Sequence, residues 1–499
     1  GAAVLPIPVM DKAEALDLLR RSIGAAHAHP STVEQAAVVR RLGYLPLAIM
    51  LAGPQLRATA ADQWLREFDA YELELQRPQN EHDSLAWTFE RSLRGLPEQK
   101  RRLYASLAVF PEDEPLHPGA VARLWAGLTG LNDKQSGRLL HELVDRALVQ
   151  QQVLRGDGAG DGAGGQLVLH DLVRDFIERE LGAEGLVTAH AAILKTYRAA
   201  MPASKRWPDD DGYLYDHLAY HLEQLARTDR AYMAELVGLF ADQEWMRLRF
   251  VQSGYTYDGY LADLDRCWQL RHESLLTAID QGGDVAPAWA DSLRFALIRS
   301  SIVSLAASYE PALVVQAVNT GAWSVERAYS LSRHVPDLAK RSELLAQIAA
   351  QVRHDTDRKA EIQEASVAAA LAIEDERDRA EVLSSLAPQL TGELKEQALA
   401  TALAAAQAIK DEGTGAKVLS NLAPQLTGEV LAAALAAAQA IKGEGIRAEV
   451  LSSLAPQLTG EVLTTALAAA LAIEGKYDRA EVLSSLAPQL TGEVKERSE

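Results

Sequence analysis

The C-terminal third of the sequence repeats itself, and this repeat limits the possible folds more than any other feature. The octapeptide LAPQLTGE occurs four times, at residues 386–393, 422–429, 454–461 and 486–493. The copies are 36, 32 and 32 residues apart. A period in this range is the length of one helix–turn–helix unit. Such units bury their apolar faces only against neighbouring units, so the pattern predicts an α-solenoid.

One repeat shows how each unit should fold. We expect Thr427 to cap the first helix, Gly443 and Gly445 to break the chain after it, and Pro456 to end the second helix. The residues expected on the inner faces are Leu431, Leu435, Ala438, Ala448, Leu451, Leu454 and Ala455. Degraded copies upstream indicate that the array begins near residue 290. A repeat array is typical both of proteins that bind a partner and of simple spacers, and the pattern leaves both open.

The sequence of the N-terminal half predicts further helices and one β-hairpin. We expect helices capped by Asp11 and Ser31, and a helix that starts at Pro46 and runs to about Ala52. After further helices come two stretches in which apolar and polar residues alternate, residues 147–154 and 166–169. They flank the glycine-rich run 156–165. Helices followed by a hairpin are the order of a winged helix. The glycine run has no lysine and carries two aspartates, so we interpret it as a flexible wing tip rather than a phosphate loop.

Charge and composition narrow the function classes. The formal net charge is −19, and residues 81–180 carry 12 Lys and Arg against 16 Asp and Glu. A DNA-reading surface is normally basic, so nucleic acid and anionic membranes are disfavoured as partners. The single cysteine, Cys267, rules out an internal disulfide and fits a reduced compartment, which makes the cytoplasm the expected location. We expect Cys267 to be a core residue.

Three short motifs follow one another along the chain: residues 43–48 (GYLPLA), residues 107–113 (LAVFPED) and residues 169–176 (LHDLVRDF). In the same order they resemble the GLPLA motif, the segment that opens the winged helix and the MHD motif, with Leu169 in place of methionine, of the C-terminal part of the NB-ARC module. This module is the nucleotide switch of STAND ATPases. Residues 213–222 (YLYDHLAYHL) are similar to the helical segment that follows it in bacterial STAND proteins.

The resemblance implies two cofactor-binding residues. Pro46 occupies the motif position that packs by adenine and ribose, and His170 occupies the position that contacts the β-phosphate of ADP. The implied cofactors are ADP or ATP with Mg²⁺ in the full-length protein, and none for this chain alone, because the sequence contains no GxxxxGK[ST] P-loop. We therefore expect no catalytic residue here, and we interpret the chain as lacking its nucleotide-binding and N-terminal effector domains.

Two further histidines, His217 and His221, have the i, i+4 spacing of a zinc-chelating pair. The sequence between them lacks the glutamate of an HExxH motif, and no third ligand is evident. We expect both to be packing residues, so no metal site is predicted.

These observations predict a mainly α protein. The expected domains are a helical domain (1–80), a winged helix (81–182), a second helical domain (183–300) and a helical, TPR-like repeat array (301–499). The favoured function is a STAND-type nucleotide-switch signalling protein in defence or regulation. It would bind a protein or peptide ligand on the repeats and self-associate on activation. The alternatives are a winged-helix transcription regulator with a repeat sensor and a plain helical-repeat scaffold.

Overall fold

The fold is mainly α-helical, which confirms the expected class. The structure is a computed structural model and describes residues 10–75, 81–152, 166–201 and 206–490. Two compact units divide the chain: one comprises residues 1–248 with 265–270, and the other comprises residues 249–264 with 271–499. The finer division into four domains remains a prediction.

The first unit begins with four helices whose starts follow local chemistry. They are α1 (Lys12–Ile23), α2 (Thr32–Arg41), α3 (Pro46–Ala58) and α4 (Ala61–Leu75). Asp11 and Ser31 cap α1 and α2, as predicted, and each forms a reciprocal capping box with the glutamate three residues later. Trp64, Phe68 and Trp87 pack together in the core, with ring centroids 4.9–5.6 Å apart.

Helix α3 is longer than predicted. It continues past Ala52 to Ala58 and contains Pro54 in its interior. The proline lacks an N–H to donate, so one backbone hydrogen bond is lost there. Seven buried residues of α3, among them Leu51, Gly53 and Leu56, pack the helix on both sides of this position. Tertiary packing therefore outweighs the local breaking signal.

Helices followed by a short hairpin form next, in the predicted winged-helix order. The elements are α5 (Glu81–Leu93), α6 (Glu98–Ala105), α7 (Pro118–Thr129), α8 (Asp133–Asp145), β1 (Gln150–Gln152), β2 (Gln166–Val168) and α9 (Asp171–Ala200). The strands are antiparallel, with Gln150 opposite Val168. Strand β1 starts later than predicted because the N–H groups of Leu148 and Val149 donate to Leu143 O and close the end of α8. The glycine run 156–165 lies outside the described residues.

Four helices follow α9, and the last two of them contain residues of both units. Gly182, with φ 68° and ψ 170°, interrupts α9 and divides it into two helical parts. The next elements are α10 (Leu214–Ala226), α11 (Arg230–Leu239), α12 (Gln243–Gln252) and α13 (Asp258–Asp280). Cys267 in α13 is fully buried, as expected.

The second unit continues as helical hairpins, and its described residues contain no strand. The helices are α14 (Ala286–Ser308), α15 (Pro311–Asn319), α16 (Val325–Arg333), α17 (Leu338–Ala349), α18 (Thr356–Leu371), α19 (Glu376–Leu386), α20 (Gly392–Ala408), α21 (Glu412–Leu422), α22 (Gly428–Ala440), α23 (Glu444–Leu454), α24 (Gly460–Leu471) and α25 (Lys476–Leu486). All seven residues predicted for the inner faces of one repeat are buried in a continuous core of alanine and leucine.

Two local predictions within the repeat are wrong. Thr427 is the N-cap residue of α22, but its side chain makes no capping hydrogen bond, and the same is true of Thr391 and Thr459. Gly443 is the N-cap of α23, whereas Gly445 lies inside that helix. The break therefore occupies fewer residues than the two glycines suggested.

Within the described ranges, no single helix is both long and apolar enough to cross a membrane. Helices α14 and α15 satisfy the length and composition test only as a pair, and they are bent by 77°.

Candidate functional site

Pro46 lies where a tight turn leads into α3. Gly43 and Tyr44 have φ values of 61° and 59°, and Tyr44 N donates to Val39 O at 3.1 Å, which closes the end of α2. Pro46 is the first residue of α3 and is exposed, whereas Leu47 and Ala48 are buried. The apolar residues of the motif thus anchor the helix in the core and leave the proline ring on the surface.

His170 is the N-cap residue of α9, directly after the hairpin. Its Nδ1 accepts a hydrogen bond from Leu172 N at 3.3 Å, and the side chain is half-buried. A nitrogen that accepts a hydrogen bond carries no hydrogen, so the neutral ring holds its hydrogen on Nε2. His170 can therefore donate from Nε2 to an anion near the N-terminus of α9, where the helix dipole also favours negative charge.

Arg174 belongs to the MHD-like motif (169–176) and hydrogen-bonds the LAVFPED segment (107–113). It lies one helical turn after His170 and is 4% exposed. Its guanidinium donates to Ala108 O at 3.0 Å, to Phe110 O, and to Pro111 O at 2.8 Å. A planar guanidinium with several N–H groups can satisfy three carbonyls at once. The loop that carries Pro111 is thereby held against the helix that begins next to His170.

A histidine pair is buried further along the same unit. His190 Nδ1 lies 2.7 Å from His221 Nδ1, and Tyr213 Oη lies 2.8 Å from His221 Nε2. Burial lowers the pKa of His190 to about 4. Burial, and then the proximity of His190 and His217, lower the pKa of His221 well below its usual value. Both rings are therefore neutral at physiological pH.

The neighbouring His217 has a different environment. Its Nε2 lies 3.2 Å from Glu114 Oε2. The packing role expected for His221 is confirmed, because the ring is 1% exposed and both of its nitrogens are hydrogen-bonded. In the described ranges, no three His, Cys, Asp or Glu side chains are grouped so that they could hold a metal ion.

The structure does not bring Pro46 and His170 into hydrogen-bond contact, and neither residue lines the described cavities. Their assignment to a nucleotide site remains a prediction. Sequence reasoning missed Arg174, His190 and Tyr213. The position of Arg174, four residues after His170, was a usable signal, since i and i+4 residues share a helix face. The pairing of His190 with His221 joins two helices, and no local pattern predicts it.

No protein-family model matches the chain, and no curated protein sequence matches it. Among solved structures, the chain is similar to a signal transduction ATPase with numerous domains (STAND) that has a tetratricopeptide repeat sensor, from Pyrococcus horikoshii. The match covers 96% of this chain and 69% of that chain, with 13% identity and a TM-score of 0.33. A similarity of this size leaves family membership as a proposal.

Proposed function

We propose that this chain is the switch and sensor portion of a STAND-type signalling protein. In this proposal ADP holds the winged helix closed through His170 and lies beside Pro46. A protein or peptide ligand on the repeat array favours the open state, in which ATP replaces ADP and protomers self-associate in the cytoplasm. The ligand must bind the open state more tightly than the closed one, since a ligand shifts an equilibrium only through its difference in affinity.

The observation that carries the proposal is the arrangement around α9. His170 has its Nδ1 occupied by a backbone N–H, so Nε2 is left as a donor for a phosphate oxygen. Arg174 connects the same helix to the loop of the second motif. A contact made at His170 can therefore be transmitted to the carbonyls of Ala108 and Pro111 through one rigid side chain.

Apart from the contact with His170, the phosphate and Mg²⁺ ligands are proposed to lie in a separate P-loop domain. The sequence contains no P-loop lysine to hold the β- and γ-phosphates. The proposal therefore gives this chain the contacts that report the nucleotide state and leaves phosphate chemistry to a separate P-loop domain. As a consequence, the 499-residue chain alone should not bind ADP or ATP at micromolar concentrations, which isothermal titration calorimetry can measure.

The decisive experiment is made in a protein that also carries the nucleotide-binding domain. His170→Ala should accelerate ADP release and increase the assembled fraction on size-exclusion chromatography. A hydrogen bond to a charged group contributes about 1.5–3 kcal/mol, which corresponds to a roughly tenfold to hundredfold shift. His141→Ala is the matched control, because the His141 side chain is 80% exposed and lies in α8 of the same unit. Equal ADP release rates in wild type and His170→Ala would favour the plain scaffold.

A further inference from the structure

The second unit contains a small cavity near the start of its helical hairpins. Its volume is about 130 Å³, and its walls come from the end of α12, the loop that follows it, the end of α14 with Tyr309, and α16 with Trp323 before it and His334 after it. It lies apart from the leucine and alanine core of the LAPQLTGE repeats. Residues 206–490 are described without a gap, so every wall of this cavity belongs to the described part of the chain.

Five aromatic side chains are among the thirteen residues that line the cavity: Phe250, Tyr255, Tyr257, Tyr309 and Trp323. Tyr309 and Trp323 meet edge to face with ring centroids 5.4 Å apart. Phe250 and Tyr257 form a second ring pair on the wall, with their centroids 4.5 Å apart. Flat aromatic walls favour a flat apolar ligand, because stacked and edge-to-face ring pairs add stabilisation beyond the area that they bury.

Arg327 places one positive charge on this wall. Its guanidinium carbon lies 4.1 Å from the centroid of Trp323 and 5.5 Å from that of Tyr255. None of the described residues lining the cavity is acidic, and none of the carboxylates in the described ranges forms an ion pair with Arg327. A guanidinium that stacks on a ring by its face keeps its edge N–H groups for a carboxylate.

The other basic side chain at the cavity, that of His334, is already paired. His334 Nε2 lies 2.9 Å from Asp258 Oδ1, and Arg333 lies 4.0 Å from the second oxygen of the same carboxylate. Asp258 is therefore engaged with these two partners. Among the described side chains that line the cavity, Arg327 is therefore the cation that has no carboxylate partner.

Tyr255 reaches the cavity from a costly backbone conformation. Its φ is 64°, in the left-handed region, and its side chain remains exposed. A bulky non-glycine residue in this region costs about 1 kcal/mol or more, and such positions cluster at ligand-binding sites. Glycine would satisfy the turn better, yet the position carries a tyrosine whose ring lies over Arg327. The same ring meets Phe250 edge to face, with centroids 5.8 Å apart, so Tyr255 adds a further aromatic ring to the wall.

We propose that this cavity binds a small single-ring aromatic carboxylate, with the ring between the aromatic walls and the carboxylate on the edge of Arg327. The volume supports one ring, since a cavity of about 150 Å³ in another protein holds benzene. The unpaired guanidinium supports a carboxylate rather than a neutral or cationic group. The site stands on its own geometry and goes beyond the proposed nucleotide switch, because binding to it requires no nucleotide.

The test is calorimetric titration of the 499-residue chain with benzoate, and with toluene and acetate as comparators. Benzoate should bind with a Kd on the order of 1 mM or tighter, which is reasonable for a ligand of this size. Toluene lacks the carboxylate and acetate lacks the ring, so both should bind at least tenfold more weakly. Equal binding of acetate would overturn the aromatic part of the proposal, and absence of benzoate binding would overturn it entirely.

Substitutions of Arg327 test whether benzoate binds in this cavity. Arg327→Gln should weaken benzoate binding at least tenfold, and Arg327→Lys should have an intermediate effect, because lysine keeps the charge but not the planar fork. Arg353→Gln is the control, since Arg353 is an exposed arginine of the same unit that does not line the cavity. Unchanged affinity in Arg327→Gln would place benzoate elsewhere and refute the proposal.

A second position keeps the test valid if Arg327→Gln does not fold. Tyr255→Gly removes the ring but suits the local backbone, because glycine adopts positive φ without strain. We expect it to weaken benzoate binding without lowering the unfolding temperature. Unchanged benzoate affinity in folded Tyr255→Gly would contradict the role of Tyr255 and the proposed location of the ring.

Discussion

The Nδ1 atoms of His190 and His221 lie 2.7 Å apart inside the first unit. At this distance one nitrogen must donate and the other must accept, so the two rings cannot both be protonated. Tyr213 Oη hydrogen-bonds the other nitrogen of His221. Either arrangement of hydrogens is compatible with two neutral rings, which is the state that the lowered pKa values give them.

The first prediction concerns stability against pH. A histidine is protonated below about pH 6.5 in the unfolded chain, whereas His190 stays neutral in the folded protein down to about pH 4. The unfolded state therefore binds more protons in this interval, and the first unit should lose stability as pH falls from 6.5 to about 4. The slope is about 1.4 kcal/mol per pH unit for each histidine that stays neutral. Unfolding followed by tryptophan fluorescence at several pH values measures it, since six of the eight tryptophans lie in this unit.

Two substitutions distinguish the contribution of the His190–His221 pair to this pH dependence from that of other histidines. His221→Gln keeps a hydrogen-bonding side chain without a titratable ring, so it should reduce the slope between pH 6.5 and 4. His141→Gln should not change it, because His141 is exposed on α8. An unchanged slope in His221→Gln would assign the pH dependence to other groups.

The second prediction concerns Arg174. Arg174→Met should lower the free energy of unfolding of the first unit by about 2–4 kcal/mol, because the carbonyls of Ala108, Phe110 and Pro111 lose their donor. Hydrogen exchange should accelerate around the loop at Pro111. Arg179→Met is the control: Arg179 is an exposed residue of the same helix that donates to Asp175 O, and its loss should cost less than about 0.5 kcal/mol. Equal effects of the two substitutions would show that the contact with the loop contributes little.

The third prediction compares two glycines of α21. At Gly415 an added Cβ would lie 2.8 Å from Ala406 O, so Gly415→Ala must move the backbone of α20 away and should destabilise by about 1–3 kcal/mol. At Gly413 the nearest neighbour of an added Cβ would be Asp411 Oδ2 at 3.6 Å, an ordinary contact. Gly413→Ala should therefore stabilise by about 0.5–1 kcal/mol through helix propensity. Urea unfolding followed by circular dichroism measures both, and effects of the same sign would contradict the close approach of α20.

The fourth prediction concerns a contact that recurs between repeats. The Glu444 carboxylate accepts hydrogen bonds from Glu474 N at 3.2 Å and Gly475 N at 3.1 Å, and these two bonds lower its pKa. Because the folded pKa is lowered, this stabilisation is present above the pKa of the unfolded chain and is lost as pH falls through the folded value. Glu444→Gln should lower the unfolding temperature of the second unit at pH 7, and the difference should shrink at acid pH. Glu449→Gln, an exposed change in the same helix, should leave it unchanged.

Much of the fold could be predicted from the sequence because its signals are local or periodic. Asp11 and Ser31 cap helices through groups within three residues of them. The 32-residue period predicts the paired helices and their buried faces, since one register of alanine and leucine serves every repeat. Pro46 and His170 were found as motif positions, and the structure shows the helix starts at which they lie.

Tertiary structure alone decided the features that depend on distant partners. Helix α3 passes through Pro54 because buried residues on both sides hold it, whereas the local sequence indicated an earlier end. Gly415 stands where the equivalent repeat positions carry Arg379, Arg447 and Arg479, and the close approach of Ala406 O at this position appears only in the packed helices. The pairing of His190 with His221 and the place of Arg327 over two aromatic rings likewise join separate segments. Short-range hydrogen bonds and periodic burial are encoded within a few residues, whereas such contacts exist only after the helices have packed.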